Sequence, residues 1–122
     1  MHCQTVTLAT PDGDMALYEA VPDPRGRAAV IVIQEAFGVN DHIEDVCRRL
    51  ADAGYHAVAP HLFHRSGGGT VPYDRLEEVM KHLGELSDDG MLVDFDATLA
   101  HLRSAGWADS AIGAVGFCMG GR

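Results

Sequence analysis

Long apolar runs are missing from this chain. No stretch approaches the ~18 consecutive apolar residues that a membrane span requires, so no membrane partner is expected. Cysteine is scarce as well. Cys3, Cys47 and Cys118 are too few and too scattered for a disulfide framework, and no two of them form a C-x-x-C pair. Reduced thiols, and with them a cytoplasmic location, are the simpler expectation. Positive charge is in deficit: nine Lys and Arg stand against eighteen Asp and Glu, a formal charge of −9, and no segment carries a basic patch. A nucleic-acid surface needs clustered cations to displace counterions, so no nucleic-acid partner is expected. The first residues, Met1-His-Cys-Gln-Thr-Val-Thr7, lack the basic and apolar regions of a secretory signal. Internal repeats are lacking too, and the Gly67-Gly-Gly69 run is the only low-complexity segment.

What is present suits a packed domain. Apolar residues make up 47% of the 122 positions and charged residues 22%, enough for a core. Gln4–Ala9 and Met15–Val21 flank Pro11-Asp-Gly13, whose turn chemistry predicts a hairpin. Ala28–Ile33 is a continuous β-branched run, as expected of a strand buried on both faces. Ile43, Val46, Cys47, Leu50 and Ala51 recur at spacings of three and four, which predicts a helix capped by Asn40 or Asp41 and stopped at Gly54. His56–Pro60 then forms a second short strand, completing a βαβ unit. Residues 61–72 read as loop. Two further helices are expected, one on Tyr73, Leu76, Met80 and Leu83 and one on Leu92, Phe95, Leu99 and Leu102, before a last strand from Ala111 to Val115.

That strand runs into Gly116-Phe-Cys-Met-Gly-Gly-Arg122. A nucleophile between glycines directly after a strand is what a strand-to-helix elbow needs, because the tight turn tolerates only small neighbours. Cys118 is therefore a candidate nucleophile, against the alternative of a small buried thiol. Cys47 lies on the apolar face of the first helix and reads as core. Glu35 follows the Ala28–Ile33 strand. In open α/β sheets ligands bind at the carboxyl ends of strands, so Glu35 and Cys118 are both expected at that edge. His61 and His64 lack a third ligand, and no metal or other cofactor is expected. Gly67-Gly-Gly69 lacks the Lys-Ser/Thr ending of a phosphate loop. His101 falls off the apolar stripe of its helix and is expected at the surface.

Three segments together resemble the dienelactone hydrolase family of α/β-hydrolases: Val32-Ile-Gln-Glu-Ala-Phe-Gly-Val-Asn40, Gly54-Tyr-His-Ala-Val-Ala-Pro-His-Leu-Phe63 and Val115-Gly-Phe-Cys-Met-Gly-Gly121. The resemblance implies that residues 1–122 are a single partial domain, the N-terminal half of an α/β-hydrolase, with a starting hairpin, parallel strands and crossover helices. It implies catalytic roles for Cys118 as nucleophile and for Glu35 in activating its thiol. The backbone N–H groups of Ala36 and Met119 would form the oxyanion hole. Arg75 would hold a substrate carboxylate, with Arg65 as the fallback. The implied partner is a small-molecule ester or lactone. The family's catalytic Asp and His have no counterpart here, since only Met119 to Arg122 follow Cys118. In the family the strand ending at Val115 is central, so a C-terminal fragment or second chain is expected to cover its open edge. A non-catalytic binding module on the same fold stays open as the alternative.

Overall fold

The hairpin forms where Pro11-Asp-Gly13 allows it. Gly13 takes φ 117°, and Thr10 Oγ1 accepts from the Asp12 N–H at 3.1 Å while donating to the Gly13 carbonyl at 2.6 Å. In the computed structural model, which describes residues 1–24 and 26–116, the turn joins β1 (His2–Thr10) to β2 (Gly13–Val21) in antiparallel register. The β-branched run is β3 (Ala28–Ile33). It is followed by α1 (Asp41–Asp52) and β4 (Tyr55–Pro60), and the last strand is β5 (Ile112–Gly116). The sheet order is β1-β2-β4-β3-β5, antiparallel through β2 and β4 and parallel from β4 through β3 to β5.

Strand alternation sends successive side chains to opposite faces, and a helix covers each face. Tyr18, Ala20, Val32, Ala57 and Ala59 pack on Ile43, Cys47 and Ala51 of α1. Burying Ile43 alone contributes roughly 1.5–3 kcal/mol. The Asn40 side chain accepts from the Ile43 N–H at 3.2 Å and caps α1, and Gly54, at φ 97°, follows its C-terminus. On the opposite face Leu17, Ala29, Ile31 and Val58 pack on Leu102 and Trp107. Leu102 belongs to α3 (Asp88–Ser104), whose Ser87 cap accepts from Gly90 N–H.

Three expectations about the middle of the chain change. The 61–72 loop contains a 3-10 helix, Leu62–Ser66, anchored by buried Leu62 and Phe63. The helix α2 (Leu76–Glu85) buries only Val79, while Tyr73, Leu76 and Met80 lie at the surface. In α3 the ridge that turns inward is Gly90, Asp94, Thr98 and Leu102, and Leu92 is exposed. Asp94 faces inward because Arg65, at 2.8 and 3.0 Å, supplies its counter-charge and His64 Nε2, at 2.8 Å, a further hydrogen-bond partner. Thr98 bonds back to the Asp94 carbonyl at 2.8 Å. These polar residues share the inward side with Leu99 and Leu102 of the expected stripe, and Leu92 is left outside.

Among the described residues β5 pairs with β3 alone, and Gly113 and Ala114 are exposed. An open, apolar strand edge is a template for another strand. Expressed by itself, the 122-residue chain should therefore self-associate or aggregate, as read by size-exclusion chromatography with light scattering. A monomer at 13.1 kDa that melts cooperatively would refute this.

Candidate active site

The three parallel strands bring their carboxyl ends to one edge, and the Gln34-Glu-Ala-Phe-Gly-Val-Asn40 segment is built there. Gln34 is fully buried and acts as a clamp. Its Oε1 accepts from the Leu62 N–H at 2.8 Å, and its Nε2 donates to the Glu35 carbonyl at 3.2 Å. The Gly38 N–H donates to the same carbonyl at 3.2 Å, closing a tight turn. Gly38 has φ 87°, and a Cβ there would stand 2.7 Å from the Gly69 carbonyl oxygen, so only glycine fits between the two loops. The Val71 N–H then donates to the Phe37 carbonyl at 3.0 Å, tying the glycine loop to the site.

Glu35 thus sits on a backbone held by others, which leaves its side chain for chemistry. The carboxylate is partly buried, with 22% of its side chain exposed, and lies 3.5 Å from His42 Nε2 in the first turn of α1. Ala36 occupies the turn itself, and among the described residues its N–H donates to no backbone carbonyl. Tyr73 completes the rim. Its ring meets Phe37 edge-on at 4.6 Å, and its hydroxyl accepts from Asn40 Nδ2 at 3.2 Å. A cleft of about 240 Å³ opens beside His42, the neighbour of Glu35, between residues 40–42 and 70–73.

Cys118 and Met119 lie outside the described residues. The register of β5, which precedes them in the chain, is defined: Ile33 of β3 stands opposite Gly116 of β5. Arg75 is exposed at the start of α2, where it pairs with Glu78 at 3.3 Å beside Asp74 and Glu77. Arg65, the fallback, is committed elsewhere: besides Asp94 it holds Asp12 at 2.6 Å. Of the other thiols, Cys3 is exposed and Cys47 is fully buried. Burial, helped by the negative charge of Glu44, pushes the Cys47 thiol up to about 12. Among the described residues no group of His, Cys, Asp and Glu side chains could hold a metal ion, and no helix is long and apolar enough to cross a membrane.

The histidines depart most from expectation. His101 reaches back from α3 to the buried Glu19 of β2, with Nε2 3.1 Å from Oε2, rather than lying free at the surface. His56 Nε2 takes the other oxygen at 2.9 Å, and Trp107 Nε1 donates to His56 Nδ1 at 2.9 Å. His61, at the end of β4, is partly buried, and desolvation holds its imidazole below the ordinary range.

Comparison with known proteins places these features in a family context. The model of the dienelactone hydrolase family matches residues 15–122. A Methylorubrum extorquens protein provisionally called a carboxymethylenebutenolidase is 40% identical over 119 residues, covering 96% of this chain and 41% of the relative. The carboxymethylenebutenolidase of a Pseudomonas species is 36% identical over 104 residues, covering 80% of this chain and 43% of the relative. The chain thus spans less than half the length of these two relatives. A crystal structure from Klebsiella pneumoniae, provisionally identified as a dienelactone hydrolase, superposes with a TM-score of 0.85 at 33% identity, over 99% of this chain and 51% of that one.

Proposed function

The chain belongs to the dienelactone hydrolase family, and from that premise we propose that the protein hydrolyses lactones or small carboxylated esters through Cys118 and a thioester acyl-enzyme. The observation that carries this proposal is the β3–β5 register. With Ile33 opposite Gly116, Glu35 and Cys118 each follow a paired position by two residues at the carboxyl edge of the sheet. That common offset supports assigning the two side chains to one site.

In the proposed reaction the Cys118 sulfur attacks the ester carbonyl carbon, its proton passes by way of Glu35 to the leaving oxygen, and the C–O bond breaks as the alcohol leaves. Water then hydrolyses the thioester with the help of a histidine that is not among residues 1–122. The N–H groups of Ala36 and Met119 stabilise the developing oxyanion, where fixed donors act without reorganisation. Arg75 holds the substrate carboxylate. Its exposed pair with Glu78 is weak, as exposed ion pairs are, and is readily exchanged for another carboxylate.

Reaction with chloroacetamide at neutral pH, followed by peptide mass spectrometry, tests the assignment. Cys118 should be modified at least tenfold faster than Cys3, and Cys47 should stay unmodified because its thiolate is inaccessible in the core. Equally slow labelling of Cys118 and Cys3 would favour the non-catalytic binding module instead. The lactone after which the relatives are called, a carboxymethylenebutenolide, is the first substrate to assay.

A further inference from the structure

We propose that Ser66 is a second nucleophile, activated by His82 and open to modification by activated acyl or phosphonyl groups. Ser66 ends the 3-10 helix, and its Oγ lies 2.5 Å from His82 Nδ1 in the last turn of α2. The other acceptor within reach is the Phe63 carbonyl, at 3.1 Å. That oxygen already receives the N–H groups of Gly67 and Gly68, the latter at 2.8 Å, which fill its two lone pairs. His82 Nδ1 is the closer of the two acceptors, and in the proposed arrangement the Ser66 hydroxyl donates to it while the imidazole carries its proton on Nε2. A hydroxyl donating to an imidazole in this way is the first half of general-base activation.

The ring is held for that purpose. His82 stacks on buried Phe63 with centroids 4.5 Å apart and planes 11° from parallel, which fixes Nδ1 against the hydroxyl. On the far side the chain continues as Gly67, Gly68 and Gly69, all at positive φ, and nothing lies within 4 Å of where a Cβ would stand at any of them. Ser66 itself is only partly buried, and the three residues that follow it carry no side chains. Because the Gly67 and Gly68 N–H groups are both spent on Phe63, they offer no donors to a tetrahedral oxyanion. Ser66 is accordingly a site of stoichiometric modification, not of rapid turnover.

With a phosphonofluoridate or phosphorofluoridate the Ser66 oxygen attacks phosphorus, the O–P bond forms, the P–F bond breaks and fluoride leaves with the electron pair. The hydroxyl proton moves to His82 Nδ1 and from there to water. An activated ester reacts in the same manner, giving a serine ester and releasing its alcohol.

The test is incubation of the complete protein with diisopropyl fluorophosphate and peptide mapping by mass spectrometry, in the parent form and in Cys118→Ala. Ser66 should carry the adduct in both, ahead of Ser87, Ser104 and Ser110, so the outcome does not depend on the role of Cys118. His82→Ala should slow labelling of Ser66 by about 10²-fold, the lower end for a lost general base, and added imidazole should restore a substantial part of it. Rescue by imidazole separates a base from a mere tether of α2, since a chain that has lost its fold is not rescued. An unlabelled Ser66, or labelling at the parent rate in His82→Ala, overturns the proposal.

Discussion

In the complete protein, serine in place of Cys118 should all but abolish the proposed lactone hydrolysis, and Glu35→Gln should lower turnover by ~10²–10⁴, the range typical of a lost acid–base group. Cys118→Ser is expected to be the more damaging change, because an alkoxide is much harder to form than a thiolate when the base is matched to a thiol. Glu35→Gln should leave the fold untouched. The turn that carries residue 35 is held by main-chain bonds, from Gly38 N–H and Gln34 Nε2 to the Glu35 carbonyl, and none of them uses the carboxylate. Steady-state hydrolysis of a carboxymethylenebutenolide by both variants, with thermal melts alongside, measures the two effects. Turnover near the parent value in Glu35→Gln would demote Glu35 to a structural loop acid.

The second large effect concerns stability. Glu19 is 4% exposed in the middle of β2, yet both of its oxygens are engaged. Trp107 Nε1 can only donate, so His56 accepts on Nδ1 and carries its proton on Nε2, which it donates to Glu19. His101 donates to the other oxygen. These two hydrogen bonds, the one from His101 being the larger influence, outweigh burial and hold the Glu19 carboxyl well below the usual carboxylate range. Glu19→Ala leaves the His56 and His101 donors without their acceptor in a buried site and should cost about 1–3 kcal/mol for each unsatisfied donor.

The same geometry sets a pH dependence. The folded carboxyl is depressed below its unfolded value of 4.5. Glu19 therefore contributes its full stabilisation above that pH and loses it progressively as pH falls further toward the folded value. Urea midpoints measured from pH 7 down to pH 3 should fall in the parent below about pH 4.5, and Glu19→Gln should remove that part of the slope. An unchanged slope in Glu19→Gln would assign the acid sensitivity to other groups.

How far a feature could be read in advance depended on the reach of the interactions that make it. Asn40 caps α1 through a residue three positions on, and Pro11-Asp-Gly13 turns the hairpin through its own backbone. Both are local, and both stand where the residues imply. The inward ridge of α3 is not local. Leu92, Phe95, Leu99 and Leu102 have helical spacing, but the helix is rotated by Asp94, whose partners His64 and Arg65 lie 30 and 29 residues away. His101 was unreadable for the same reason, since Glu19 is 82 residues earlier in the chain. One signal was available: Glu19 and His56 are polar residues inside apolar strands, and such residues are buried only with partners.

The sequence by itself determined the local elements and the family. A β-branched run makes β3, a capped apolar face makes α1, and glycines permit the Glu35–Gly38 turn, because torsional preference and short-range hydrogen bonding act between neighbours in the chain. The Gln-Glu-Ala-Phe-Gly-Val-Asn segment and the glycine-flanked cysteine identify the family for a similar reason, each being a compact chemical unit. Only the tertiary structure decided which charges are buried, that Arg65 is committed to Asp12 and Asp94, and that α2 leaves Tyr73, Leu76 and Met80 exposed. Those outcomes depend on which surfaces meet across the sheet. A buried charge is tolerated only where a distant partner offsets its lost hydration, and that partner is supplied by the fold and not by the neighbouring residues.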